Sequence, residues 1–132
     1  MKINPLFIAA AVFNVLVGVP LLLAYPFVAS LLQLHEPASV WSRIVAAIVI
    51  LFAFAYWQVA RQPSQYRPYV TLGMIGKLSF AAIIYRDWLY GETSPQLAAL
   101  VTVDAIFALL FAAHLSRYRS HDGARQSARR ID

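Results

Sequence analysis

The chain has 132 residues, of which 61% are hydrophobic and only 13% charged, whereas soluble domains run about 45–50% apolar and about 25% charged. That balance excludes an ordinary water-soluble domain. The lack of cysteine excludes disulfides, thiolate chemistry and Cys-based metal sites. A net charge of +5 would suggest nucleic acid as a partner in a soluble protein, but the placement of the charges, set out below, argues against it.

A membrane-spanning helix needs about 20 predominantly apolar residues, and four such segments are predicted, at about 5–23, 39–60, 68–88 and 95–117. The first apolar run continues to Leu34, or about 45 Å of helix, against a hydrocarbon core of about 30 Å. Pro20 and Pro26 each remove a backbone donor and crowd the preceding turn. A kink is therefore expected near Gly18-Val19-Pro20, followed by a short interfacial helix from about Pro26 to Leu34 with Phe27, Leu31 and Leu34 on one face.

His35-Glu36-Pro37 ends this element, and Ser39 suits the N-cap of the second span. Arg61 to Arg67 forms a turn, and Pro68 suits the start of the third span. Gly91-Glu92-Thr93-Ser94 turns the chain again, with Pro95 opening the fourth. Residues 119–132 read as a basic, disordered tail. The expectation is a single domain over residues 1–118: an all-α, integral membrane four-helix bundle with a kinked first helix and a short interfacial helix after it.

Lys2, Arg61, Arg67, Arg117, Arg119, Arg125, Arg129 and Arg130 fall on one side of this topology. Only Arg43 and Arg86 fall on the other, with the acidic residues Glu36, Asp87 and Glu92. The positive-inside rule then puts both termini in the cytoplasm, which implies a multi-pass protein of a bacterial inner membrane whose basic tail meets anionic lipid. Trp41, Tyr85, Trp88 and Tyr90 on the outer side, with Tyr66, Tyr69 and Tyr118 inside, read as aromatic belts. Membrane lipid is the expected partner, and nucleic acid is not one. A signal-peptide reading of the N-terminus, with Val28-Ala29-Ser30 as cleavage site, is disfavoured because the apolar run exceeds the usual h-region of about 7–15 residues.

Two charges break the pattern. Lys77 and Asp104 lie within the third and fourth spans, where an ionisable group costs about 2.5–3.5 kcal/mol on insertion scales. Lys77 is fourteen residues before Gly91 and Asp104 thirteen after it, so each lies roughly 20 Å from the turn and the two share one depth. Asn14 follows Pro5 by the same nine residues that separate Lys77 from Pro68, which places it level with them. Gln58 lies nearer the Arg61 end. The candidate site is thus Lys77, Asp104, Asn14 and Gln58.

Gly73 and Gly76 allow close helix approach, and Tyr56, Trp57, Phe107 and Phe111 are the expected apolar wall. An acid and a base against aromatic rings suit a pocket for an amphipathic ligand. The shared nine-residue spacing hints at a parallel internal repeat, an arrangement known in transporters. A single matched spacing is read as coincidence.

Three functions are compatible with the sequence. The favoured one is binding of a small amphipathic or lipid-like molecule around the Lys/Asp pair. The alternatives are a small oligomeric transporter or proton-coupled subunit, and an accessory scaffold in which the pair is structural. Whether catalysis occurs is left open, and neither a cofactor nor a metal is expected. His35-Glu36 lacks further ligands, His114 reads as a satisfied interfacial histidine, and His121-Asp122 as solvated. A homo-oligomer is a candidate partner.

A kinked first segment, the proline-containing turn from Arg61 to Pro68, Gly76-Lys77 and Asp104 together resemble small uncharacterised bacterial membrane proteins of DoxX-like type, over residues 1–118 at the level of architecture. The resemblance implies an inner-membrane four-helix bundle. The architecture is also similar to that of the sterol-isomerase and sigma-receptor superfamily, which binds cationic amphiphiles in a membrane cavity. No motif matches that group's acidic residues position by position, so none of its site residues is carried over.

Overall fold

The computed structural model describes residues 3–35 and 37–129, with side chains described as far as Arg117. Five helices follow in chain order: α1 Pro5–Leu23, α2 Tyr25–Leu32, α3 Val40–Arg61, α4 Arg67–Leu89 and α5 Pro95–Arg129. The protein is an all-α helical bundle, and among the described residues α1, α3, α4 and the Pro95–Arg117 part of α5 are long and apolar enough to cross a membrane. Large apolar side chains such as Leu16, Phe27, Leu51, Phe54 and Leu109 cover its outer surface. A water-soluble monomer does not sustain so much exposed apolar area, whereas lipid accepts it. The chain is a multi-pass membrane protein.

Local chemistry sets the helix ends. The Asn4 side chain accepts the Leu6 N–H at 3.1 Å at the start of α1. Ser39 and Ser42 form a reciprocal capping box on α3, and Ser94 Oγ accepts the Leu97 N–H at 3.2 Å at the start of α5. These side chains satisfy donors that a helix start leaves open. Gly91 takes φ 75° in the α4–α5 turn, a backbone conformation that favours glycine.

The chain breaks where expected, between residue 23 and Pro26. α1 runs through Pro20 to Leu23, and the chain turns at Ala24 (φ −133°, ψ 44°). Pro20 removes one backbone donor without ending the helix. The break falls where Pro26 would otherwise sit inside a continuous helix, and there it serves instead as the second residue of α2. α2 touches α1 and α5, and Ser94 Oγ donates to the Leu32 carbonyl.

α5 also continues beyond the expected end at 117, through residues assigned to a disordered tail, as far as Arg129. No proline interrupts that stretch, so nothing in it blocks continuation of the helix. Lys2, Glu36 and residues 130–132 lie outside the described residues, as do the side chains of Tyr118, His121 and Asp122.

Two tight helix pairs build the bundle. α1 packs closely along α3, and α4 along α5. Gly18 brings α1 against Ala46, Val49 and Ile50 of α3, leaving no room for a Cβ. The pairs meet each other mainly through large side chains. Phe7 lies 5.0 Å from Phe111 and Phe13 5.7 Å from Phe107 between ring centroids, while Tyr56 meets Phe111 at 5.2 Å. This aromatic layer, not close backbone contact, holds the halves together, and the polar residues sit inside it.

Candidate functional site

Asn14 lies midway along α1 and Lys77 midway along α4, and both are buried. A buried ammonium must find acceptors or give up its charge. The Lys77 Nζ donates to Asp104 Oδ1 of α5, forming an ion pair, and to Asn14 Oδ1 at 3.1 Å. Asn14 Nδ2 in turn donates to the Val49 carbonyl of α3 at 3.2 Å. Asp104, Lys77, Asn14 and Val49 thus form one polar chain that links all four long helices. Antiparallel pairing within each hairpin brings Asn14 to Val49 and Lys77 to Asp104, and the packing of the two hairpins brings Lys77 to Asn14.

Three rings surround the ammonium. The Phe13, Tyr56 and Phe107 centroids stand 5.6, 5.5 and 5.6 Å from Nζ, within the roughly 6 Å range of cation–π attraction. Among the described residues Nζ has two polar acceptors, so its third N–H has no protein acceptor. Asp104 commits one oxygen to Lys77, and its side chain retains 22% exposure.

That exposure faces a cavity of about 50 Å³ lined by Asn14, Lys77 and Asp104 together with Phe52, Gly73 and Gly76. Tyr56 forms part of its wall, and its ring lies so close to α4 that a Cβ at Gly73 would fall 2.5 Å from the hydroxyl. The cavity reaches Ile48 and Phe80, which are exposed on the lipid-facing surface.

The structure therefore brings together Lys77, Asp104, Asn14, Tyr56 and Phe107. It separates the other three residues expected at the site. Trp57 faces outward into a groove between α1 and α3 with Val12, Leu16 and Phe54, because adjacent helical residues point about 100° apart and Tyr56 already takes the inward direction. Gln58 does not line the cavity; it is two positions from Tyr56, on nearly the opposite side of α3. Phe111 is fully buried against Phe7 and Tyr56 and serves the core. His114 meets Phe7 edge-on at 5.0 Å between ring centroids.

Phe13, Phe52 and the Val49 carbonyl were missed from sequence. Phe13 adjoins Asn14, and Phe52 lies one turn before Tyr56. α1 is apolar around its whole circumference, however, and gives no phase that would mark Phe13 as inward. Backbone acceptors carry no sequence signal at all.

The fold and the polar chain define a polytopic α-helical membrane protein with a lipid-accessible polar cavity. No family model, curated protein or solved structure matches the chain.

Proposed function

We propose that this protein is a bacterial inner-membrane protein with both termini in the cytoplasm, of DoxX-like architecture, which binds a small amphipathic or lipid-like molecule at Lys77, Asp104 and Asn14. One observation carries the reading: the charged pair borders a cavity that extends to residues exposed on the apolar outer surface. A water needs about 10–15 Å³ of such space, so about 50 Å³ admits a polar head of a few heavy atoms. The remainder of the molecule would lie against lipid. Phe13, Phe52 and Tyr56 supply the apolar contact that such a ligand requires.

Native mass spectrometry of the protein released from nanodiscs tests this. The expected result is a retained small molecule that disappears in the folded Lys77→Met/Asp104→Leu double variant. Absence of any retained molecule from the wild type would overturn the proposal. The basic residues at the Arg61–Arg67 turn and beyond Arg117 support the orientation.

A scaffold role is favoured by one observation, that the polar chain joins all four long helices. The same double variant separates the readings. Normal folding with unchanged retention and phenotype favours the scaffold, and normal folding with lost retention excludes it.

A further inference from the structure

We infer that α1–α3 and α4–α5 are two copies of one helical hairpin, and that the cavity between them opens between α3 and α4 as a portal for the tail of an uncharged, single-tailed amphiphile with a hydroxyl head. The portal rests on the binding reading above; the repeat does not.

The repeat is carried by register. Asn14 and Lys77 are 63 residues apart, and at that spacing four of the five buried residues of α1 fall on the buried residues of α4: Phe7 on Val70, Ala10 on Gly73, Asn14 on Lys77 and Gly18 on Ala81, while the fifth, Ala11, falls on half-buried Met74. For α3 and α5 the matching spacing is that from the capping residue Ser39 to the capping residue Ser94. It places buried Ala46 on Val101, Ala53 on Ala108 and Tyr56 on Phe111. The second spacing is shorter by eight residues, the length of α2, which is therefore an insertion into the first copy.

Contacts repeat as well. Asn14 bonds to Val49, ten residues after Ser39, and Lys77 bonds to Asp104, ten residues after Ser94. Phe13 meets Phe107, and its equivalent Gly76 faces Phe52, the equivalent of Phe107. Both hairpins run in the same direction, so they are related by a pseudo-twofold axis along the bundle, which passes where Lys77 meets Asn14.

Departure from symmetry makes the opening. On the α1–α5 side, Phe13 fills the space beside the polar chain. On the α3–α4 side Gly76 stands in the equivalent place and leaves it empty, with Phe52 Cζ 3.5 Å from where a Cβ would be. The cavity consequently reaches lipid on that side, past Ile48 and Phe80.

Charge selects the head. Lys77 and Asp104 neutralise each other, so an added carboxylate meets Asp104 as a like charge and an added ammonium meets Lys77. A hydroxyl accepts the third Lys77 N–H and donates to Asp104, satisfying both groups. One portal admits one tail.

The test is photolabelling of the full chain in nanodiscs with a diazirine-bearing hexadecanol, compared with hexadecanoic acid and hexadecylamine carrying the same group. The alcohol should label α3 and α4 around Ile48, Gly76 and Phe80, displaceably by unlabelled hexadecanol. Gly76→Phe restores the residue of the equivalent position and should reduce labelling at least about tenfold, a loss of about 1.4 kcal/mol.

Ile48→Trp blocks the rim without altering α4 and should do the same, so either variant decides if the other fails to fold. Leu51→Trp, on the outer face of α3, should label as the wild type does. Wild-type labelling in folded Gly76→Phe and Ile48→Trp, with labelling lost in Lys77→Met/Asp104→Leu, overturns the portal and leaves the binding site standing. Equal labelling by acid or amine overturns the hydroxyl head. No displaceable labelling of the wild type overturns the binding reading and the portal with it.

Discussion

Replacing the two ends of the ion pair separately and together should expose strong non-additivity. Asp104→Leu leaves the Lys77 ammonium buried with Asn14 and three rings as its remaining partners. Removing one partner of a buried pair costs about 3–5 kcal/mol. Rings each worth about 0.5–1 kcal/mol or more support the orphaned charge and place this variant near 3 kcal/mol. Lys77→Met leaves a carboxylate that is 22% exposed toward a cavity large enough for water, so screening reduces its cost to about 1–2 kcal/mol. The double variant leaves no lone charge, and replacing a buried pair by apolar residues is often nearly neutral. With Asn14 losing its donor, about 1–2 kcal/mol is expected. The coupling energy is then about 3 kcal/mol, measurable by steric trapping in bicelles across the four-protein cycle. Additivity within about 0.5 kcal/mol would refute the direct pairing on which the magnitude rests.

Two glycines three residues apart should respond oppositely. Gly73→Ala drives a methyl into the Tyr56 ring at 2.5–2.9 Å and should destabilise by about 1–3 kcal/mol. Gly76→Ala meets its nearest neighbour at 3.5 Å and should be neutral or gain up to about 1 kcal/mol of helix propensity; equal losses in thermal unfolding would contradict the packing. Asn14→Leu removes both the Lys77 acceptor and the bond to Val49 and should lower stability by about 1–2 kcal/mol, with an unchanged melting midpoint as the adverse result. Trp57→Leu, on the outward face, should shift stability by no more than about 0.5 kcal/mol. The chain has no cysteine, so Ser64→Cys and Thr93→Cys report topology directly. An impermeant maleimide should reach Thr93→Cys from outside intact cells and Ser64→Cys only after lysis; the reverse pattern would invert the orientation.

Fold class was legible because length and hydropathy are properties of composition, and four apolar runs in 132 residues leave few arrangements. The meeting of Lys77, Asp104 and Asn14 was legible because helical rise is constant, so counting from Gly91 and from the helix starts gives depth. Rotation about the helix axis was not. Trp57 and Gln58 were expected at the site but point away from it, since an apolar helix in lipid has no polar face to fix its phase. The same limit hid Phe13. The end of α1 near residue 23 was legible from the length of the first apolar span, and the break before α2 follows from Pro26. The nine-residue spacing that looked accidental acquires meaning only beside the burial pattern, which requires coordinates.

The unequal seams of the bundle have a mechanical consequence. Each hairpin is stiff, sewn by close backbone approach along α1–α3 and α4–α5. Between α3 and α4 the contact is looser and is spanned by side chains, with the Arg61–Arg67 connector at one end. Lateral pressure from the surrounding bilayer acts across the seams between the two hairpins, and the void beside Lys77 lies within the α3–α4 one. Acyl-chain order and membrane thickness therefore bear directly on the volume available at the polar chain.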